Sequence, residues 1–285
     1  MMLARQREAL DGARGWQQPQ GPKAHVGCSG WSYQSWRGVV YPAELRPAEW
    51  FSHYTKLFST VELNSTFYRL PQASTFERWA SQAPPGFLYA VKLNRFGTHQ
   101  LKLASPQRWL PAFVQRASLL GAALGPVLVQ LPPRWKRDPA RLAGFLAAAD
   151  EIVAGNRLKT GSAATWRWAV EVRDASWLDQ ATYDVLAEHG AALCWHDMLP
   201  GHPWELTAPP SPLGAGWAYA RLHGPEAPAK KYCGHYGAER LRPVAAKLRA
   251  WLDAGCEVYV YFNNDQAGAA AHDAATLRSL IGSAA

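Results

Sequence analysis

Eight short apolar runs in this chain each finish on polar or ionisable residues, and that repeated join limits the folds open to it. The joins include Val61-Glu62-Leu63-Asn64, Tyr89-Ala90-Val91-Lys92, Val127-Leu128-Val129-Gln130 and Ala169-Val170-Glu171-Val172-Arg173. Ala220-Arg221-Leu222-His223 and Tyr259-Val260-Tyr261-Phe262-Asn263-Asn264-Asp265 follow later. A buried strand that turns polar at its C-terminal edge is what a parallel barrel enzyme requires, because such barrels carry their sites on that face.

Strands are expected at 25–28, 60–64, 87–92, 126–131, 167–173, 191–195, 217–223 and 256–263. Helical spacing lies between most of them, at 49–58, 106–120, 138–153, 239–252 and 267–280. Ser105 and Asp138, each followed by proline, predict N-caps for two of these helices. Asp265 predicts the cap of the last one. The connection from Asp197 to Gly216 holds Pro200, Pro203, Pro209, Pro210 and Pro212 and cannot be a regular helix. Residues 1–23 are expected to be a disordered extension, and 24–285 to form a single α/β domain, a (β/α)8 TIM-like barrel. A doubly wound open sheet is disfavoured because Gly27-Cys28-Ser29-Gly30-Trp31 after the first strand lacks the dinucleotide fingerprint.

Side chains alternate faces along a strand. Glu62 and Asn64 therefore share a side, as do Glu171 and Arg173, Arg221 and His223, and Tyr261 and Asn263. If the barrel closes, Glu62, Lys92, Glu171, Arg173, Arg221 and His223 converge at its mouth. Burying so many charges costs several kcal/mol each unless they are paired. A self-neutralising network, with Glu62 and Glu171 set against Lys92, Arg173 and Arg221, is the alternative to a ligand site.

The chain has 30 basic and 22 acidic residues, a net charge of +8, which favours anionic partners. Its four cysteines are far apart with no Cys-x-x-Cys pair, so buried free thiols are expected. No secretory signal and no 18-residue apolar run is present, and a cytoplasmic protein without a membrane partner is expected.

Gly27-Cys28-Ser29-Gly30-Trp31-Ser32-Tyr33, Trp36-Arg37-Gly38 and Thr60 through Arg69 together resemble the DUF72 (YecE-like) family. So do Lys92 with Thr98-His99, Glu171-Val172-Arg173 with Ser176-Trp177, Arg221-Leu222-His223-Gly224 and Tyr261-Phe262-Asn263-Asn264-Asp265. The likeness runs in order from about residue 25 to 280 and implies a TIM-like barrel of uncharacterised role.

Glu62, Glu171 and His223 are the acid/base candidates; paired carboxylates would also suit glycoside hydrolysis. Lys92, Arg173 and Arg221 are candidates to clamp phosphate. Asn64, Tyr68, Trp177, Tyr232, Tyr236 and Asn263 complete the expected substrate-binding set, although packing is the better reading of Trp36 and Trp177. The segment Tyr232 to Gly237 reads as a glycine-hinged flap. A divalent metal held by Glu62, Glu171, His223 and either His196 or Asp197 would sit beside repelling cations, so no metal or other cofactor is expected. The leading expectation is an enzyme acting on a phosphate-bearing or nucleotide-like small molecule. The alternatives are a nucleic-acid-binding module without turnover and a metal-assisted hydrolase.

Overall fold

The computed structural model describes Leu10, residues 23–199 and residues 215–282. The expected disordered extension 1–23 and the proline-rich 199–213 therefore fall outside the described residues, except for Leu10, Lys23 and Leu199. The strands are β1 (Ala24–Cys28), β2 (Thr60–Leu63), β3 (Leu88–Lys92), β4 (Leu124–Gln130), β5 (Trp168–Glu171), β6 (Ala192–His196), β7 (Trp217–Leu222) and β8 (Glu257–Phe262). They form one closed parallel barrel in chain order. Each expected strand is present, with its ends moved by no more than two residues.

The main helices are α1 (Trp50–Leu57), α2 (Ala73–Gln82), α3 (Leu110–Ala117), α4 (Pro139–Thr160), α5 (Gln180–Glu188), α6 (Gly237–Asp253) and α7 (Ala269–Gly282). Neither α2 nor α5 was among the expected helices; each buries only two side chains. Asp138 caps α4 as expected, its carboxylate accepting the Arg141 N–H at 3.0 Å. The helix then continues past Val153 to Thr160, where Gly161 stops it in the left-handed conformation (φ 65°). Its last turns are largely exposed, so no buried stripe marks them in the sequence. Ser105 does not cap: it is itself left-handed (φ 47°), and Pro106 opens a short 3-10 turn before α3 begins.

Contacts divide the protein into two compact units. One holds the described residues up to Glu62 and those from Trp195 onward, apart from Ala215. Here β1 pairs with β8 in continuous register from Ala24↔Val258 to Cys28↔Phe262, and β7 pairs with β8 from Trp217↔Glu257 to Leu222↔Phe262. Helix α7 packs on both α6 and β1. A Cβ on Gly27 would stand 2.3 Å from the Thr60 carbonyl oxygen, so β1 and β2 meet only because this residue has no side chain. Gly27→Ala is expected to destabilise the fold by roughly 1–3 kcal/mol. A thermal melt unchanged in that variant would contradict the close approach.

The second unit is Leu63–Cys194 with Ala215. Its β4 and β5 run in register from Val127↔Trp168 to Gln130↔Glu171, while a shift between Tyr89 and Val91 interrupts the β3–β4 ladder. Helix α4 packs between α3 and α5, and Phe113, Leu142, Phe145 and Leu146 are buried.

Candidate functional site

In the first unit, Glu62 at the end of β2 is fully buried. Its carboxylate accepts from Ser29 Oγ at 2.8 Å, Tyr219 Oη at 2.7 Å, Arg221 Nη2 at 2.8 Å and Arg221 Nε at 3.0 Å. Tyr219 and Arg221 share one face of β7, as the alternation of side chains required, and that face meets Glu62 across 159 positions of sequence. Arg221 is itself only 1% exposed, so the pair is closed to solvent.

The remaining guanidinium nitrogen, Arg221 Nη1, lies 3.1 Å from His223 Nε2. Guanidinium only donates, so Nε2 accepts and the imidazole proton stands on Nδ1. From there it reaches Asp197 Oδ1 at 2.9 Å. Asp197 also accepts the His223 backbone N–H and the Tyr236 hydroxyl, and the Gly224 N–H donates to Tyr236 Oη at 2.7 Å. Burial and the neighbouring Asp197 carboxylate push the Tyr236 phenol up. The chain Glu62–Arg221–His223–Asp197–Tyr236 is continuous, with both His223 ring nitrogens engaged. Asp197 entered the sequence reading only as an optional metal ligand; here it orients His223 and Tyr236.

The segment expected to be a hinged flap is pinned. The Tyr232 N–H donates to the His223 carbonyl, Asn264 Nδ2 donates to the Gly234 carbonyl at 2.7 Å, and the Tyr236 N–H donates to Asp273 at 3.0 Å. Tyr232 keeps 41% exposure, with its ring 6.1 Å from that of His223. Asn263 is buried, and its N–H bonds the Leu222 carbonyl.

Asp265 departs from expectation. It makes no side-chain capping bond; α7 begins at Ala269, after a 3-10 turn. Its carboxyl is instead largely buried against Tyr33. Burial, reinforced by Glu62 and opposed by Tyr33 and Arg221, pushes its pKa up to about 7.

In the second unit, Arg173 pairs through Nε and Nη2 with Oε1 of the fully buried Glu171, and Cys194 Sγ lies 3.9 Å from Oε2. Lys92, the last residue of β3, sets its ammonium 4.3 Å above the Phe67 ring. That ring meets the edge of His99 at 5.0 Å. Thr98 Oγ1 is 2.9 Å from His99 Nδ1, and the Asn94 side chain accepts the Gly97 N–H, which fixes the turn. Burial, then Lys92, Arg95 and Arg173, push the His99 pKa down to about 4, against the opposing pull of Glu171. Three cations and one carboxylate thus act on a neutral imidazole. Arg95 and His99 were absent from the sequence-derived site, although Thr98-His99 carried part of the family resemblance.

Two of the aromatic residues nearby are open: Tyr68 is 73% exposed and Phe96 49%. Asn64 is half-buried where it opens the single helical turn Ser65–Tyr68. Trp177 is buried, packs edge-on against Trp135 and donates its N–H to the Trp135 carbonyl, which is packing. Within the first unit Glu62, Arg221 and His223 are linked, and within the second Glu171 and Arg173 are paired. Glu62 with Arg221 and Glu171 with Arg173 are ion pairs, the alternative that the sequence left open. Among the described residues no group of three or more His, Cys, Asp and Glu side chains could hold a metal ion. Cys28, Cys194 and Cys256 are buried free thiols, and Cys233 is half-buried. No described helix is long and apolar enough to cross a membrane. A cavity of about 400 Å³ between α3 and the end of α4 is lined by Pro111, Ile152, Asn156 and Lys159 and carries no acid–base pair.

A closed parallel barrel with ionisable side chains at the C-terminal ends of its strands defines a TIM-type barrel protein. The family described as "Protein of unknown function DUF72" matches residues 25–285, and the chain belongs to that family. It is 23% identical over 279 residues to the UPF0759 protein YunF of Bacillus subtilis, a match covering 90% of this chain and 94% of YunF. It is 27% identical over 108 residues to the UPF0759 protein YecE of Escherichia coli, spanning 38% of this chain and only 37% of YecE. The crystal structure of a DUF72 family protein from Thermotoga maritima is similar with a TM-score of 0.73 at 26% identity, covering 92% of this chain and all of that one. A DUF72 family protein from Enterococcus faecalis, 17% identical with a TM-score of 0.71, shares the fold. None of these names states a reaction.

Proposed function

We propose that this protein is an enzyme that takes a phosphate-bearing, nucleotide-like substrate at the cluster of Lys92, Arg95 and Arg173. The observation that carries the reading is the charge acting on His99: burial first, then Lys92, Arg95 and Arg173, hold that imidazole neutral, and the three cations outnumber the one carboxylate, Glu171. Lys92 ends a barrel strand and Arg173 follows one closely, where barrel enzymes bind their substrates. The exposed rings of Tyr68 and Phe96 supply flat faces suited to a base. Glu62 and His223 act in this reading as scaffold, since their hydrogen-bonding atoms are engaged by neighbours.

Calorimetric titration with inorganic phosphate and with adenosine monophosphate tests it. The double variant Lys92→Gln, Arg95→Gln is expected to bind both at least about tenfold more weakly, since each charge-assisted contact contributes on the order of 1.5–3 kcal/mol. Tyr68→Ala is expected to weaken only the nucleotide. Equal phosphate affinity in wild type and the double variant would remove the reading.

The exposed aromatic rings and the charge of +8 also favour a single-stranded nucleic-acid module. That module would lose affinity for an oligonucleotide steeply with salt, with a slope set by several phosphates, whereas a mononucleotide site gives a shallow one.

A further inference from the structure

We propose that Asp265 is a proton-exchanging acid–base centre, a catalytic carboxyl that accepts a proton from, and returns it to, a hydroxyl or amine of a bound ligand. Three features of the geometry carry this. First, Oδ1 of Asp265 is buried with no hydrogen-bond partner in the protein, although the residue stands at the C-terminal end of β8. A buried acceptor without a donor costs free energy and calls for an explanation, of which a catalytic role is one.

Second, the carboxyl faces a hydroxyl that can serve either of its charge states. Tyr33 Oη has one proton and two neighbours, the Ser29 carbonyl at 2.5 Å and the Asp265 carboxyl. When Asp265 is neutral, Tyr33 donates to Ser29 and its oxygen accepts the acid proton. When Asp265 is ionised, the Tyr33 proton turns to the carboxylate. The two protonation states thus differ by a rotation of one O–H, with no movement of heavy atoms.

Third, the backbone beside the carboxyl is held under strain. Ala267 has φ 52°, a region unfavourable for a residue with a Cβ. Trp36 Nε1 fixes the Asp265 carbonyl at 2.8 Å. On Gly268 a Cβ would stand 2.9 Å from Val40, which keeps the turn in place.

The charged and titratable groups facing Asp265 are Tyr33 and the buried Cys28 from β1 and its following loop, Glu62 from β2 and Arg221 from β7. Glu62 is engaged by Arg221, so the two largely neutralise one another and burial dominates the behaviour of Asp265. The position near pH 7 follows from that burial and gives comparable amounts of acid and base at neutral pH, the condition under which proton transfer is most efficient. The step itself conserves atoms: the ionised carboxylate takes the proton of a ligand O–H through Oδ1 and leaves the alkoxide, and the neutral acid later returns that proton to the same oxygen.

The test uses the ligand-free full-length chain, so it succeeds or fails independently of anion binding at Lys92. Carboxyl carbon-13 NMR across pH 4–9 is expected to show an Asp265 resonance with a midpoint near 7. Asp265→Asn should abolish that titration. Tyr33→Phe should move it upward, because the hydroxyl that stabilises the ionised form is gone. A carboxyl that burial leaves unperturbed would show no titration in the neutral range. Aspartates that all titrate in the ordinary range near 4, or a neutral titration that survives Asp265→Asn, would overturn the proposal.

Discussion

Glu62→Ala is expected to lower the unfolding free energy by roughly 3–5 kcal/mol, the usual cost of leaving one half of a buried ion pair alone. Arg221 is 1% exposed, so its guanidinium would remain charged in the barrel interior without the carboxylate that now neutralises it. Tyr219 would lose its acceptor as well. Urea unfolding followed by tryptophan fluorescence measures the change. The double variant Glu62→Gln, Arg221→Met provides the control, since replacing both charges removes the desolvation penalty together with the attraction, and most of the loss should be recovered. A single variant within about 1 kcal/mol of wild type would mean that water or another anion reaches Arg221, and the scaffold role of the pair would fall.

Asp265→Asn should act in the opposite direction and only over part of the pH range. The folded protein holds this carboxyl at about 7, whereas an unfolded aspartate titrates near 3.8. Below the unfolded value the group is protonated in both states and the substitution changes little. Between the two values the unfolded chain releases the proton and the folded chain keeps it, so wild-type stability falls as pH rises. Above pH 7 the penalty is complete. The asparagine variant escapes it and is expected to be more stable than wild type at pH 8 by roughly 4 kcal/mol, with little difference at pH 4. Melting temperatures of the two proteins across that range decide the matter. Parallel curves would show that burial does not perturb the carboxyl. A gain in stability on removing a charged side chain is what a functional carboxyl in an unfavourable setting predicts.

Strand positions were legible because the period-2 alternation and the polar join are local, and both survive in a single pass along the chain. The same alternation placed Tyr219 and Arg221 on one face of β7, and the structure has them there, on Glu62. Helices with a broad buried stripe, α1 and α6, were readable for a similar reason. The short helices α2 and α5 were not read, although in α2 Phe76 and Trp79 stand three apart on one buried face; each buries only two side chains. Ser105 and Asp265 had the residue types of caps, but the backbone at Ser105 is left-handed and the Asp265 side chain turns inward, and neither fact leaves a mark in the neighbouring residues. His99 was passed over because a histidine three positions from the nearest cation in sequence gives no hint that Lys92 and Arg173 act on it in space.

The sequence alone settled that this chain builds eight parallel strands, which side chains each strand presents to which face, and that charge gathers where the strands end. These follow from steric alternation and from the solvation of short segments, both local properties. The tertiary structure decided which carboxylate meets which cation, that His223 is held neutral between Arg221 and Asp197, and that Asp265 loses its water. Each of those depends on partners from distant strands and on the low polarity they jointly create. Desolvation and Coulomb energy are set by distance in space, and separation along the chain does not encode them.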